Sequence, residues 1–90
     1  MTYYRVQPKG LALAGHFSGL AYEKVGGVFA VTDPRTLLGT YTWCHVSRHA
    51  ADYEMVVFEG DLVAAPDDSE GVVVHPRDEG HRTPLTEWVW

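Results

Sequence analysis

Ninety residues, 46 % hydrophobic and 21 % charged, make one domain with a single small core, since a chain this short buries only ~60–65 % of its unfolded surface. Seven Lys and Arg against twelve Asp and Glu leave a formal charge of −5, which excludes generic binding to a phosphate backbone. No apolar run approaches the ~20 residues that a membrane-spanning helix needs. The expected fold class is therefore α+β: one domain over residues 1–90, with a mostly antiparallel sheet of four to five strands and one main helix packed on it.

Cys44 is the only cysteine, so no disulfide staples the fold, and a reducing, cytoplasmic setting is expected. Arg5 and Lys9 precede the apolar run Leu11-Ala12-Leu13-Ala14-Gly15, but that run stops at His16 and is too short for a targeting leader.

Along the chain, residues 2–7 are rich in β-forming side chains and are halted by Pro8-Lys9-Gly10, which predicts a first strand with Tyr3 and Arg5 on one face. Residues 10–27 carry five glycines and read as a loop with a short helical turn near Leu20–Lys24. Gly27-Val28-Phe29-Ala30-Val31 is a continuous apolar run of strand length, read as a buried strand. Asp33-Pro34 then offers a capping carboxylate and a proline that has no N–H to lose. A helix is predicted from Pro34 to about His49, although Gly39 and the threonines at 36, 40 and 42 weaken it.

Tyr53–Phe58 is the clearest strand, and Glu59-Gly60-Asp61 reads as a turn or bulge before Leu62–Ala65. Pro66–Gly71 is dense in turn formers, and Val72-Val73-Val74-His75 returns as an antiparallel strand. Residues 77–82 read as a polar loop, and Thr83-Pro84 as the start of one helical turn leading to Trp88-Val89-Trp90. The predicted core comprises Val28, Val31, Leu37, Leu38, Tyr41, Val57 and Phe58.

Candidate chemistry is sparse. His45 and His49, one helical turn apart, are able to face one metal ion, but no glutamate of the HExxH kind lies between them and no second cluster exists. Cys44 and His45 are neighbours and point about 100° apart on a helix, so they form no nucleophilic pair, and Cys44 is read as a small core residue. Gly15-His16-Phe17-Ser18-Gly19 has its serine out of register for a nucleophile elbow. Asp67-Asp68-Ser69-Glu70 lacks the spaced ligands of a calcium loop and reads as a solvated turn. No catalytic residue, metal site or cofactor is expected from these residues. Trp88 and Trp90 are the candidate partner-binding residues, because tryptophan is enriched at interface hot spots. The competing reading is that both indoles cover their own chain as a lid.

Two resemblances add expectations. Met1-Thr2-Tyr3-Tyr4-Arg5-Val6, Val56-Val57-Phe58-Glu59-Gly60-Asp61 and Val72-Val73-Val74-His75-Pro76 together resemble small accessory proteins encoded by phages of high-GC Gram-positive bacteria. That resemblance implies a non-enzymatic protein that binds a bacterial host protein in the host cytoplasm, with self-association as a homodimer a further expectation. The alternative comes from Tyr4-Arg5, then Gly27-Val28-Phe29-Ala30 running into Thr32-Asp33, then Val56-Val57-Phe58 and Gly71-Val72-Val73-Val74, an order that resembles the ADP-ribosyltransferase-like fold. It implies an NAD- or nucleotide-binding domain in which Arg5 holds the ligand and Phe29 stacks on it. The catalytic position falls on Gly71, with Glu70 one residue early and so on the opposite face of a strand, which implies a catalytically degenerate domain.

Overall fold

The computed structural model describes residues 1–11, 13, 27–40, 43–65 and 71–90. Its elements are β1 (Thr2–Pro8), β2 (Val28–Ala30), a 3₁₀ turn at Pro34–Gly39, an α-helix at Trp43–Arg48, a 3₁₀ turn at Ala50–Asp52, β3 (Tyr53–Ala64), β4 (Val72–Pro76), β5 (His81–Pro84) and a 3₁₀ turn at Leu85–Glu87. All strand pairings are antiparallel, in the order β1-β3-β4-β2, with β5 also on β3. The expected antiparallel sheet is present, and it is curled.

β3 is the shared strand. Its first half pairs with β1, from Pro8↔Tyr53 to Thr2↔Glu59, and with β5, from Glu54↔Pro84 to Val57↔His81. Its second half pairs with β4, from Gly60↔Pro76 to Ala64↔Val73, across a register irregularity between Leu62 and Ala64. Of the turn or bulge predicted at Glu59-Gly60-Asp61, the turn is absent, because β3 runs through the tripeptide, and the irregularity in register falls just beyond it. Gly60 faces inward where β4 passes closest: a Cβ there would meet the Val74 side chain and lie 2.8 Å from the His75 carbonyl oxygen. The polar look of the tripeptide reflects its outward members, since Glu59 and Asp61 are exposed.

The sheet curls until β1 meets β2. Tyr4 and Val31 exchange both backbone hydrogen bonds, at 2.8 and 2.9 Å, the arrangement of a hydrogen-bonded antiparallel pair. This single bridge closes the ring β1-β3-β4-β2. Period-two alternation then sorts side chains into two layers. Tyr3, Val28, Ala30, Val56, Phe58 and Val74 pack inside with Leu13. Val31, Leu37, Met55 and Leu85 form the outer cluster, to which Tyr4, Val6, Phe29, Trp43 and Trp88 add partial burial.

The expected helix over 34–49 is replaced by two short pieces. Asp33 caps as predicted, its Oδ1 accepting from the Arg35 N–H at 3.0 Å with Pro34 in the first turn. The turn ends at Gly39 because Thr40 is extended, with φ −75° and ψ 149°, and its hydroxyl donates to the Leu37 carbonyl at 2.8 Å. A β-branched residue with a local hydrogen-bonding alternative stops a helix that glycine has already weakened. The α-helix that follows has a new phase, with Trp43 and Val46 packed against the outer cluster, joined by Ala50 of the next 3₁₀ turn. Cys44 is consequently exposed and not a core residue.

Of the predicted core, Val28, Val31, Leu37 and Phe58 are buried and Val57 is half-buried. Leu38 is 40 % exposed, because a 3₁₀ turn presents only Leu37 to the outer cluster. Tyr41, the helical turn expected near 20–24, Ser18, Asp67, Asp68, Ser69 and Glu70 lie outside the described residues. The polar loop read over 77–82 gives way to β5 from His81 onward, because His81 and Arg82 pair with Val57 and Val56. Among the described residues no helix is long and apolar enough to cross a membrane.

Leu13 is fully buried inside the curl, so Leu13→Ala is expected to lower stability by about 2–5 kcal/mol, the range for a cavity left in a tight core. Urea unfolding of the variant and the parent measures the difference, and a loss below about 1 kcal/mol would show that Leu13 does not fill the interior.

Candidate functional site

The inner face carries charge as well as apolar packing. β1 alternates Tyr3, Arg5 and Gln7 inward, so Arg5, only 3 % exposed, lies among the buried side chains of the inner face. Its Nε donates to Gln7 Oε1 at 3.0 Å and its Nη1 donates to the Phe29 carbonyl at 2.8 Å. Burial pushes the Arg5 guanidinium down to about 10, so it stays charged at neutral pH. Among the described residues no carboxylate lies within ion-pair distance of it. Neutral oxygens therefore solvate this charge, a costly arrangement that needs good geometry.

A second group closes the adjacent end of the curl. Arg82 Nη1 donates to Glu54 Oε1 and to the Leu11 carbonyl, both at 2.6 Å, and Nη2 donates to Glu79 Oε2 at 3.1 Å. Gln7 Nε2 also donates to the Leu11 carbonyl, at 2.9 Å, and the Leu13 N–H donates to Glu79 Oε2 at 2.9 Å. The Gln7 amide thus accepts from Arg5 and donates to Leu11, using both of its ends. This network ties Leu11 and Leu13 to β1, β3 and β5.

An open groove of about 510 Å³ runs beside it, lined by Val57, Phe58, Glu59, Asp78, Glu79 and His81. Its acids are largely engaged within the chain. Glu59 takes the Thr2 hydroxyl at 2.5 Å and the Met1 ammonium at 3.2 Å. These contacts, the Thr2 hydrogen bond foremost, hold its carboxyl below the ordinary value. Outside the groove, Asp61 is held low by the Arg77 hydrogen bonds, Nε to Oδ2 at 3.0 Å and Nη2 to Oδ1 at 2.5 Å.

The third place is aromatic. Trp88 stands edge-on to Tyr4 with centroids 6.3 Å apart, Trp90 meets Trp88 at 6.3 Å and 79°, and Trp90 meets Trp43 at 5.2 Å and 86°. Leu85, buried, anchors the turn that precedes them, and Trp88 leaves that turn in an extended conformation. Both indoles therefore lie against their own chain, and against one another. They do so incompletely: Trp90 is 39 % exposed and Val89 88 %. Trp88 Nε1 is buried and has no acceptor among the described residues.

The residues singled out from the sequence are placed as follows. Arg5 and Phe29 meet through the Phe29 carbonyl. The Phe29 ring belongs to the outer cluster and sits over Gly71, where a Cβ would come within 2.5 Å of the ring and of the Ala30 carbonyl oxygen. His45 and His49 do come together, with ring centroids 4.6 Å apart, and His45 also stands edge-on to Tyr53 at 6.4 Å. Among the described residues, no three His, Cys, Asp or Glu side chains are grouped to hold a metal ion.

The network of Gln7, Glu54, Glu79 and Arg82, and the part played by Trp43, lie beyond the residues singled out from the sequence. The signal for Gln7 and Glu54 was their phase: each lies two residues from an inward member of its own strand. The chain matches no protein-family model, no curated protein and no solved structure.

Removing Arg82 leaves the nearly buried Glu54 without its cation. Arg82→Met is expected to cost about 2–4 kcal/mol, and Glu54→Gln added to it to cost less than the two single changes summed. Additive losses in denaturant unfolding would show that the pair is not coupled. Asp61, whose folded value is depressed, contributes stability above the ordinary carboxylate range that is lost as pH falls through its folded value. In Arg77→Ala its carboxyl midpoint, followed by carbon-13 NMR, is expected to rise toward the ordinary value, and an unmoved midpoint would remove Arg77 as the cause.

Proposed function

We propose that this chain is a small protein-binding module without catalytic chemistry of its own, and that it binds through the aromatic array around Trp90. The observation that carries the reading is the exposure of Val89 and Trp90 beside Trp43 and Trp88. Indoles grouped at a surface and left partly in water are the residues that dominate interface energetics. Trp88 packs beneath them and ties the array to Tyr4. The partner, as the resemblance to phage accessory proteins implies, is a bacterial host protein met in the host cytoplasm. A second copy of the chain competes for the same surface.

The nucleotide-binding alternative draws less support. The Arg5 guanidinium is enclosed and engaged by Gln7 and Phe29, and the Phe29 ring packs in the other layer of the sheet.

Capture from lysates of a high-GC Gram-positive bacterium, with the parent chain and Trp90→Ala as paired baits, tests the reading. A protein retained in stoichiometric amount by the parent and lost from the variant is the expected outcome. Identical capture by both baits would remove the array as the binding surface. Sedimentation of the intact chain and of one ending at Glu87 separates the second copy: monomers in both cases exclude self-association through this segment.

A further inference from the structure

We propose that His45 and His49 chelate one divalent transition-metal cation of tetragonal preference, Ni(II) or Cu(II), in a two-imidazole site that water completes; this goes beyond the protein-binding reading and does not depend on it. Ring spacing is the first reason. The two centroids lie 4.6 Å apart, with the planes tilted by 40°. Imidazoles that share a cation at metal–nitrogen distances of ~2.0–2.1 Å have centroids about 4.5 Å apart at a square ligand angle and about 5.2 Å apart at a tetrahedral one. The pair stands at the square end of that range, the end that suits Ni(II) and Cu(II). Neutral imidazole is a good ligand for both, whereas Mg(II) and Ca(II) keep to oxygen.

The way the rings are held is the second reason. His45 lies on the α-helix Trp43–Arg48, and His49 follows its last residue and opens the 3₁₀ turn Ala50–Asp52. Backbone bonds fix His49 on both sides: its N–H donates to the Val46 carbonyl at 3.1 Å, and its carbonyl accepts from the Asp52 N–H at 2.8 Å. The His45 ring also stands edge-on to Tyr53, the first residue of β3, at 6.4 Å. The two imidazoles are thus gathered before a cation arrives, so less side-chain freedom is lost on binding. Both residues are exposed, and a hydrated cation reaches them without opening the core.

Charge is the third reason. The pair closes the carboxyl end of the helix, where the backbone dipole favours a positive charge. Asp52 follows on the next turn, exposed and in no ion pair among the described residues, and the whole chain carries a charge of −5. Arg48 opposes a cation here, and no third protein ligand joins the pair among the described residues. The site is therefore exchangeable, with open positions held by water, and is not a structural centre. A bound cation pins the end of the helix whose first residue, Trp43, belongs to the aromatic array.

The test is a calorimetric titration of the full, untagged chain with Ni(II), with Zn(II) and with Mg(II). Saturable binding of one equivalent of Ni(II) is expected, and none of Mg(II). In the nitrogen-15 labelled chain, a trace of Cu(II) should broaden the amide resonances around His45 and His49 before any others. His45→Gln and His49→Gln, both at exposed positions, should each weaken Ni(II) binding by about tenfold or more, because a chelate becomes a single ligand, with the sheet resonances in place. Ni(II) should raise the melting temperature of the parent and not that of His49→Gln. His81→Gln is the control, since His81 stands in the groove beside Asp78 and Glu79, and it should bind as the parent does. Absence of binding at millimolar Ni(II), equal affinity in His49→Gln, or loss of binding in His81→Gln would overturn the proposal. Tighter binding of Zn(II) than of Ni(II) would overturn its square geometry.

Discussion

The closure of the sheet at Tyr4 and Val31 is the constraint on which the rest of the molecule depends. In a regular antiparallel ladder the hydrogen-bonded pair after Tyr4↔Val31 would be Val6 with Phe29. The described ladder stops at the single bridge, and the Phe29 carbonyl accepts from the Arg5 side chain instead. A guanidinium thus spans the place where β1 and β2 splay apart, which explains why a charged residue is buried without an acid beside it. Gln7 sets its angle through Nε, and the same amide reaches Leu11. Closure of the seam and anchoring of Leu11 are therefore one hydrogen-bonded system.

With the ring closed, β1, β2 and the first half of β3 carry apolar packing on both sides. The inner layer is filled by Tyr3, Val56, Phe58 and Val74 around Leu13. The outer layer is covered by short turns in place of one long helix, and the aromatic array finishes that cover over Tyr4. Tyr4 links the two features, since its backbone makes the seam and its ring receives Trp88. The surface proposed for binding therefore stands directly on the strand that closes the sheet.

Much of this was legible in the residues, and the failures have physical causes. β1, β2, β4 and the first half of β3 show the runs of β-branched and aromatic side chains that favour strands, and Asp33-Pro34 announces its cap. The long continuation of β3 was hidden because Glu59, Gly60 and Asp61 mark turns in isolation, whereas here the acids face water and the glycine admits β4. The helix was over-extended because apolar periodicity carries across Gly39 and Thr40, while the backbone at Thr40 does not. The inward charges were unreadable for a different reason: Arg82 and Glu54 are neutralised by each other, and a single sequence does not announce which surface charges will meet. Trp88 and Trp90 stood out by composition, but their contact with Trp43 depends on how the intervening sheet is folded.

β3 accepts partners from both ends of the chain: β1 and β5 on either edge of its first half, and β4 along its second. Pro8 and Tyr53 become neighbours only when the whole intervening segment has been drawn into a loop. The loop-closure entropy is lost before these contacts form, and among the described residues there is no long helix to supply stable local structure first. The speed at which this chain folds is therefore set by topology, in the slow range typical of small all-β barrels. Since every pairing outside β1–β2 and β2–β4 runs through β3, the sheet forms and dissolves as one cooperative unit, with no half that persists alone.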